Sequence, residues 1–575
     1  MPEVSTFSTL RERAGLQPDD IAYIYTDYDS DWDGVAHTMT WGQVYRSALN
    51  VAHAVKACGS SGDRAVILAP QGLEYITAFL GSMLGGFIAV PLSVPHAGSH
   101  DERVSAVLAD TEPTVVLTTT SISDSIADYV GRGTGSPTVI EVDDLDLDAR
   151  RPNIRTHDLP TTAYLQYTSG STRLPAGVMI THENLHTNFR QLMSDYFPAT
   201  SGVASADMSV VSWLPFYHDM GLVLGVVSPI LGGFRGELTS PVAFLQRPAR
   251  WVQALAANHP TWSASPNFAF ELALAKTTDD DMAGYDLSNV LGVISGSERI
   301  HPATLDRFVN RFAKFGFRRE MMRPSYGLAE ATVYVASRSQ PGPPEVVHFD
   351  TEKLSAGSAI RCGNQDGTEL LSYGQAQQPP VVIVDPETRV ETPAGTIGEI
   401  WTLGDNVAQG YWHKPDETER TFAGLLASPA PGTPEGPWLR TGDLGFFSEG
   451  ELFIVGRMKD MLIVYGRNHY PEDIEATVQE VCPGRVAAIS VTVDRIEKLA
   501  VVVEFKKRSD VATSPELFAS VKSDITSAIA KVHQLTAADI VLVAPGSLPT
   551  TTSGKIRRAA SGEMYRERKF TRLDA

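Results

Sequence analysis

Short continuous apolar runs alternate, over the first four hundred residues, with stretches in which apolar residues recur at helical spacing. The runs RAVILAP (64–70), TVVLTTT (114–120) and VLGVIS (290–295) predict buried strands. The segments GLEYITAFLGSML (72–84) and HDERVSAVLAD (100–110) predict helices. This alternation is typical of βαβ units. It predicts an α/β fold in which mainly parallel sheets are flanked by helices.

The pattern changes after ELFIVGRMKDMLIV (451–464). The strand-like runs AAISVTV (487–493) and KLAVVVEF (498–505) and a helical segment around Phe518–Lys531 follow without the earlier alternation. A chain of 575 residues is also too long for a single core. We therefore predict a large N-terminal domain over residues 1–456 and a small α+β C-terminal domain over residues 457–575.

One uncharged run, YITAFLGSMLGGFIAVPLSVP (75–95), is long enough to span a membrane. Its three glycines and two prolines divide it into a short helix and a short strand, so we predict buried core and no transmembrane segment. The first residues lack the basic-then-apolar order of a signal peptide. The three cysteines, Cys58, Cys362 and Cys482, are far apart and form no CxxC pair. These features favour a cytoplasmic protein.

The charge balance excludes one class of partner. Lys and Arg number 48 against 68 Asp and Glu, a formal net charge of −20. Nucleic acids and anionic membranes attract basic faces, so neither is an expected partner. From Lys555 onward the balance reverses, with seven Lys or Arg against three Asp or Glu. Such a segment is usually a solvated helical tail and less often a docking patch.

The stretch YTSGSTRLPAGV (167–178) has the composition of a phosphate-binding loop. The strand-like AYLQY (163–167) precedes it and the helix-like ITHENLHTNFRQLMSDYF (180–197) follows it. A Gly/Ser/Thr turn between a strand and a helix presents backbone N–H groups to phosphate. The Walker pattern GxxxxGK[ST] occurs nowhere in the chain, and this loop has no lysine. By itself the stretch is also compatible with an ordinary turn.

Four further motifs follow in order: SYGLAEAT (325–332), LRTGDLGF (439–446), GRMKDMLIVYGRNHYPEDIE (456–475) and PTTTSGKIRR (549–558). With the loop they resemble the adenylate-forming superfamily of acyl-CoA synthetases, peptide-synthetase adenylation domains and luciferases, over nearly the whole chain. SWLPFYHDMGL (212–222) and GRNHYPEDIE (466–475) are similar to fatty acyl-AMP ligases of the polyketide-lipid type found in actinobacteria. The phosphate loop is also similar to that of these ligases, because it has Arg173 and Ala176 where the broader family has glycine and lysine. A long segment before PVVIVD (380–385) resembles the insertion of these ligases, which we place near 347–374.

The resemblance implies attack of a fatty carboxylate on the α-phosphorus of ATP, which yields an acyl-adenylate and pyrophosphate with the help of Mg²⁺. It makes Lys555 the catalytic lysine, places His218 near the acyl carboxylate, assigns Glu330 and Thr168 to the metal, and puts the hinge between the domains at Lys459. The residues that it implies for ATP and AMP binding are Thr168, Ser169, Gly170, Ser171, Thr172, Ser295, Gly296, Ser297, Glu298, Tyr326, Gly327, Asp443 and Arg457.

The acyl chain requires an apolar tunnel. Residues 221–234 and 263–274 are the candidates for its walls, although either segment could be ordinary core. The family insertion is associated with poor use of CoA, so the resemblance implies transfer to the phosphopantetheine of an acyl carrier protein on a polyketide synthase. Two alternatives stay open: a fatty acyl-CoA synthetase, and a catalytically silent nucleotide- or lipid-binding protein. The missing loop lysine favours the silent protein, whereas the retained Glu330, Asp443, Arg457 and Lys555 oppose it.

Overall fold

The structure, a computed structural model, describes residues 6–95, 101–131, 136–154, 159–168, 175–339, 342–363, 367–376, 378–464, 467–493, 496–506, 515–533, 535–551 and 555–574. In chain order the strands are β1 (Ile21–Asp27), β2 (Val35–Thr40), β3 (Arg64–Ile67), β4 (Ile88–Pro91), β5 (Val115–Thr118), β6 (Thr138–Glu141), β7 (Thr162–Thr168), β8 (Ala176–Thr181), β9 (Ser209–Ser212), β10 (Arg235–Leu238), β11 (Thr261–Ser265), β12 (Val290–Ser295), β13 (Met322–Tyr326), β14 (Ala336–Ser337), β15 (Val346–Phe349), β16 (Thr368–Leu371), β17 (Val381–Val384), β18 (Gly398–Thr402), β19 (Leu439–Ser448), β20 (Glu451–Arg457), β21 (Leu462–Val464), β22 (Arg467–His469), β23 (Val486–Val493), β24 (Ile496–Glu504) and β25 (Ala537–Val543).

The helices are α1 (Thr6–Leu16), α2 (Trp41–Lys56), α3 (Leu73–Leu84), α4 (Glu102–Thr111), α5 (Ser123–Val130), α6 (His182–Tyr196), α7 (Asp219–Leu222), α8 (Ser228–Gly232), α9 (Pro241–Gln246), α10 (Ala249–Leu255), α11 (Asn267–Lys276), α12 (Pro302–Phe312), α13 (Thr351–Ser355), α14 (Pro415–Phe422), α15 (Pro471–Val481), α16 (Pro515–His533) and α17 (Arg558–Arg566). A π-helical turn, Val223–Val227, joins α7 to α8.

Two large sheets organise the first 340 residues. One has eight strands in the order β14-β13-β12-β11-β9-β10-β1-β2, and the other has six in the order β6-β5-β3-β4-β7-β8. Their inner pairs are parallel, while β2, β14 and β8 pair antiparallel at the edges. Strands such as β4, β5 and β9 are buried at every residue because helices cover both faces. The predicted α/β fold of mainly parallel sheets is confirmed.

The uncharged run at 75–95 is divided between α3, whose residues from Tyr75 to Leu84 are all buried, and the buried strand β4. Within the part of the chain that the structure describes, no helix is long and apolar enough to cross a membrane. The glycines between α3 and β4 end the helix: Gly86 has φ = +84°, a conformation that favours glycine. The prediction of buried core is therefore confirmed.

The segment after the phosphate loop differs from the prediction. Residues 176–181 form strand β8, which pairs antiparallel with β7 in the register Thr168↔Ala176 to Thr162↔Thr181. The loop therefore closes a hairpin and does not lead straight into a helix. Helix α6 begins only at His182, where Thr181 and Asn184 exchange the side chain to backbone hydrogen bonds of a capping box, 3.0 and 2.9 Å long. The strand-to-helix geometry expected for this loop was wrong, because β8 gains a full set of ladder partners by pairing with β7.

Residues 346–371 form a small unit on the antiparallel sheet β17-β18-β19-β20. Strands β15 and β16 pair with each other, and α13 lies between them in sequence. Phe349 is fully buried, with ring centroids 4.9 Å from Phe446 and 5.1 Å from Phe453. The same apolar cluster contains Leu354 and Tyr470, and Met458 and Met461 pack against it. The segment predicted as an insertion thus contacts the residues that join the two parts of the chain.

The C-terminal part has its own core. Strands β23, β24 and β25 form one sheet, and Ile474 and Val478 of α15 and Ile525 and Ile529 of α16 bury their side chains against it. This mixture of strands and helices is the α+β arrangement expected from the sequence. The exact boundary after residue 456 stays a prediction.

Candidate active site

The first group of site residues lies at the ends of β13 and β20 and in the middle of β19. Tyr326, the last residue of β13, donates a hydrogen bond from its hydroxyl to Asp443 Oδ2 at 2.7 Å. Asp443 pairs with Arg457 across β19 and β20, and its Oδ1 lies 3.2 Å from Arg457 Nε. Asp443 raises the pKa of the Arg457 guanidinium, which keeps this cation charged. Three residues predicted for nucleotide binding therefore meet at one point.

Lys555 faces this group from the C-terminal part of the chain. Its backbone N–H donates to Thr551 Oγ1 at 3.1 Å, and its carbonyl accepts from the Thr551 N–H at 2.7 Å. Burial lowers the pKa of the ammonium and Arg457 acts in the same direction, whereas three nearby carboxylates, those of Glu298, Asp219 and Asp443, oppose them. Asp219 and Glu298 follow strands β9 and β12 of the eight-stranded sheet and Asp443 lies on β19, so the three charges that act on Lys555 are those of the predicted reaction centre.

His218 and Asp219 follow β9 at the start of α7. His218 Nδ1 lies 2.6 Å from Asp219 Oδ1, and the same carboxylate oxygen accepts the Met220 N–H at 2.7 Å. Burial alone would raise the pKa of Asp219, but His218 and the backbone donor outweigh it, so the net pKa is lowered. The imidazole is therefore oriented by a charged neighbour. The sequence reasoning singled out His218 and missed Asp219, although the motif FYHDMGL contains both.

The segment 295–298 follows β12. The buried Ser295 Oγ finds no hydrogen-bond partner among the residues that the structure describes, and Ser297 adopts a left-handed backbone with φ = +67°. Such a conformation costs about 1–3 kcal/mol in a non-glycine residue and is found most often at functional sites. Burial raises the pKa of Glu298, whose Oε1 accepts the Phe268 N–H at 2.8 Å. Gly296 and Ser297 line the cavity described below, and their contact with the nucleotide stays a prediction.

Glu330 lies in a short turn after β13 and accepts a hydrogen bond from the Tyr411 hydroxyl at 2.7 Å. Tyr411 forms a bridge to Val178 of β8, so it fixes Glu330 beside the hairpin that contains the phosphate loop. Thr168 ends the other strand of this hairpin. Among the described residues, no three His, Cys, Asp or Glu side chains converge as metal ligands. One carboxylate and one hydroxyl fit Mg²⁺, which is usually held by one or two carboxylates together with substrate phosphates.

Ser169, Gly170, Ser171 and Thr172, predicted to bind phosphate, lie outside the described residues, as does Arg173. Next to the loop, Lys414 Nζ donates to the Pro175 carbonyl at 3.3 Å and lies 3.8 Å from Glu417. The sequence reasoning missed this lysine because YWHKPDET reads as an exposed loop and helix start. It places a lysine close to the end of the loop, whose own sequence contains none.

A cavity with both polar and apolar lining residues opens between these groups. Asp219 and Ser297 lie at its reactive end, and Gly327, another predicted nucleotide contact, also lines it. The first predicted tunnel segment contributes Leu224, while none of the described lining residues comes from 263–274. The other apolar lining residues include Leu192, Ile294, Val333 and Tyr334, which the sequence analysis did not assign to the tunnel. They carry no chemical signature, so only the folded chain identifies them.

Lys459, the predicted hinge residue, lies exposed in a single 3₁₀ turn, Met458–Asp460, directly after β20. A second connection between the two parts of the chain lies beside it. Arg299 forms an ion pair with Asp473 of α15 at 2.5 Å and donates to the Val455 carbonyl at 3.2 Å. The contact holds α15 against the large sheets in the arrangement that directs Lys555 into the site.

Comparisons with known proteins agree with this geometry. Residues 10–412 match the AMP-binding enzyme family, and residues 459–574 match the Disco-interacting protein 2-like AMP domain. The chain is 64% identical to the putative fatty-acid–CoA ligase fadD21 of Mycobacterium leprae over the full length of both, and 58% identical to the long-chain-fatty-acid–AMP ligase FadD28 of Mycobacterium tuberculosis over 99% of both.

A solved structure of a fatty acyl-adenylate ligase from Legionella pneumophila, in complex with acyl adenylate and pyrophosphate, is 31% identical with a TM-score of 0.74. It covers 99% of this chain and 97% of its own. The similarity thus extends over both parts of the molecule, including the hinge and Lys555. The chain belongs to the AMP-binding enzymes and, within them, to the fatty acyl-AMP ligases.

Proposed function

We propose that this enzyme uses ATP and Mg²⁺ to convert a medium- or long-chain fatty acid into an acyl-adenylate, and that it passes the acyl group to the phosphopantetheine of an acyl carrier protein on a polyketide synthase. The main support is the position of Lys555. It faces Asp219 and Glu298 at the reactive end of the cavity, beside the Asp443–Arg457 pair. This reaction requires a cation, a carboxylate that binds the nucleotide and a pocket for the acyl chain close together.

The reaction brings two anions together, so the site must offset their repulsion. Lys555 supplies a point charge where the carboxylate meets the α-phosphate, and Arg457 adds a second cation on the nucleotide side. Asp443 is placed to accept from the ribose hydroxyls, and Tyr326 fixes its orientation. Glu330, held by Tyr411, would bind Mg²⁺ with Thr168, and the ion would neutralise phosphate charge. The chain's residues therefore orient both reactants before the bond forms.

The position of the insertion supports the carrier protein as acyl acceptor. Leu354 of α13 is buried in a cluster with Tyr470, and Met458 and Met461 on either side of Lys459 pack against that cluster. Rotation of the C-terminal part about Lys459 would break these contacts and expose their apolar surface. A barrier to rotation disfavours free CoA, whereas a docked carrier protein can add binding energy of its own. We also infer a cytoplasmic location, which the wide separation of the three cysteines along the chain supports.

The test supplies ATP, Mg²⁺ and laurate or palmitate, with and without CoA and with a phosphopantetheinylated carrier protein. We expect acyl-AMP, little acyl-CoA and an acylated carrier. Abundant acyl-CoA would instead support a CoA synthetase, the activity named for the fadD21 relative. If no adenylate forms with any chain length, the protein is a binding protein and the proposal is wrong.

A point substitution tests the insertion better than a deletion, because deleting residues 347–374 would expose Phe446 and Phe453. Leu354→Ala removes the buried contact near the hinge. Ile360→Ala is the matched control, since Ile360 belongs to the same insertion but is 54% exposed. We expect the ratio of acyl-CoA to acyl-AMP to rise in the first variant and to stay unchanged in the second. An unchanged ratio in Leu354→Ala, with adenylation intact, would remove the insertion from the explanation.

A further inference from the structure

The cavity that accepts the acyl chain is closed by an aromatic side chain. Tyr196 is the last residue of α6, four residues after the cavity-lining Leu192, so both project from one face of the helix. Its hydroxyl is hydrogen-bonded to Ser325 Oγ, and its ring lies 6.0 Å from the ring of Tyr334, measured between centroids. Leu192, Ser325 and Tyr334 all line the cavity. Tyr196 therefore stands directly behind three of its walls.

The register of the large sheet shows what lies beyond. Ile294 of β12 pairs with Arg323 of β13, and Trp262 of β11 pairs with Gly292 of β12. Paired residues of parallel strands point to the same face, and alternate residues of one strand do so too. Ile294 and Ser325 line the cavity on this face, and Gly292, Trp262 and Arg323 continue it toward the amino ends of the strands. The face thus extends past the cavity, away from Asp219.

Tyr196 occupies this continuation. Its ring contacts Trp262 in a T-shaped arrangement with centroids 5.3 Å apart, and the residue is only 7% exposed. A side chain at Gly292 would narrow the same space, since an added Cβ would lie 3.3 Å from Arg323 Cγ and 3.4 Å from Trp262. The tyrosine ring thus fills the space between α6 and this part of the sheet, next to the cavity.

We propose that Tyr196 is the end wall of the acyl pocket and sets the longest fatty acid that the enzyme adenylates efficiently. The inference rests on the proposed adenylation of fatty acids. A chain whose carboxylate is held near Lys555 and Asp219 extends along Leu224, Ile294 and Leu192 until its methyl end meets the tyrosine ring. Longer chains have to displace the ring, break its hydrogen bond to Ser325 and lose its contact with Trp262.

The size of the effect follows from the transfer free energy of a methylene. A CH₂ group buried in an apolar site gains about 0.8 kcal/mol, which is about fourfold in kcat/KM. In the wild-type enzyme this gain ends at the tyrosine. In Tyr196→Ala the pocket is longer. We compare kcat/KM for a chain two methylenes longer than the wild-type optimum with kcat/KM for the optimum chain. The ratio of the first to the second should rise about tenfold or more in the variant.

The experiment measures fatty-acid-dependent ATP–pyrophosphate exchange with octanoate, laurate, palmitate and stearate. Tyr196→Ala should move the optimum to longer chains with an unchanged KM for ATP. Tyr196→Phe keeps the ring and serves as the matched control, so its optimum should stay where it is in the wild type. The inference is overturned if the profile of Tyr196→Ala equals that of the wild type, or if Tyr196→Phe shifts it equally.

A second variant covers the case in which Tyr196→Ala fails to fold. Leu192→Phe adds bulk one turn closer to Asp219, so it should lower kcat/KM for long chains more than for short ones. Equal loss at all lengths in this variant would place the acyl chain elsewhere. Failure of the wild-type enzyme to adenylate any fatty acid would refute the proposed function itself, whereas activity with an unaltered length profile in the variants refutes only the role of Tyr196.

Discussion

Replacing Arg558 tests how the catalytic lysine is held in place. Arg558 begins α17, three residues after Lys555, and its side chain is 17% exposed. The guanidinium contacts both carboxylate oxygens of Glu475, at 2.7 and 2.6 Å, and donates to Glu472 at 2.7 Å. It also lies 3.2 Å from Asp460, in the turn that contains the hinge. The Arg558 guanidinium thus connects the segment that contains Lys555 to α15 and to the turn that contains the predicted hinge residue.

The magnitude follows from what Arg558→Met leaves behind. Glu475 has a 9% exposed side chain and would keep the Ala488 N–H as a hydrogen-bond donor but lose its cation, with Glu472 still close by. Removing one partner of a buried ion pair costs about 3–5 kcal/mol. Because Glu475 keeps a donor and can take up a proton, we expect the lower end, a loss of about 3 kcal/mol in the free energy of unfolding at neutral pH. Lys555 should then lose its fixed position and adenylation should fall.

The loss should depend on pH in a definite direction. Burial raises the pKa of Glu475, and Arg558 acts against this by lowering it. Without the arginine the folded-state pKa rises further above the unfolded value, so the folded variant binds a proton more readily. The destabilisation relative to wild type should therefore be smallest at acid pH, where Glu475 is protonated in both proteins. It should grow as the pH rises above the folded-state pKa of Glu475 in the wild type and level off above the higher folded-state pKa in the variant.

Denaturant unfolding between acid and neutral pH, followed by a probe of the C-terminal part, measures this loss, and pyrophosphate exchange measures its effect on adenylation. Arg557→Met is the matched control, because Arg557 is the neighbouring arginine and is exposed. A change of less than about 1 kcal/mol in Arg558→Met, the value of a surface ion pair, would refute the reasoning. Equal effects of the two substitutions would refute it as well.

Three further predictions concern the reaction centre. Lys555→Met should lower the rate of adenylation at least a hundredfold, about the effect of losing one preorganised charge. Because burial lowers the pKa of Lys555, the wild-type rate should decline at a pH below the ordinary lysine range. A pH–rate profile of Lys555→Arg should lack that decline. Asp443→Asn should raise KM for ATP about tenfold or more, since the carboxylate accepts from Tyr326 and pairs with Arg457; an unchanged KM would contradict its nucleotide role. Tyr411→Phe removes the hydrogen bond that orients Glu330. The Mg²⁺ concentration for half-maximal activity should rise about tenfold, the value of a hydrogen bond to a charged group. An unchanged Mg²⁺ titration would show that Glu330 does not bind the metal.

The parts of the fold that could be predicted from sequence are those that local pattern controls. Buried strands such as β3 and β5 consist of apolar runs, and α3 ends at glycines, so their type and position follow from nearby residues. Strand β8 was missed because its pairing with β7 depends on contacts across the loop. Tyr326, Asp443 and Arg457 were predicted from motifs to bind the nucleotide, and the structure brings them together although more than a hundred residues separate the first from the others.

The sequence by itself determined the family of this protein: an α/β fold and the motifs of an adenylate-forming enzyme, with a predicted catalytic lysine near the end of the chain. Only the tertiary structure decided the surroundings of those groups. Arg558 was expected on a solvated basic tail, but folding surrounds it with carboxylates from two other segments. Leu192 and Tyr196 look like ordinary core residues until α6 packs on the large sheet and makes them walls of a cavity. Motif residues are recognisable because the reaction restricts their type, whereas wall and anchor residues are defined by which distant segments meet, and this depends on packing across the whole chain.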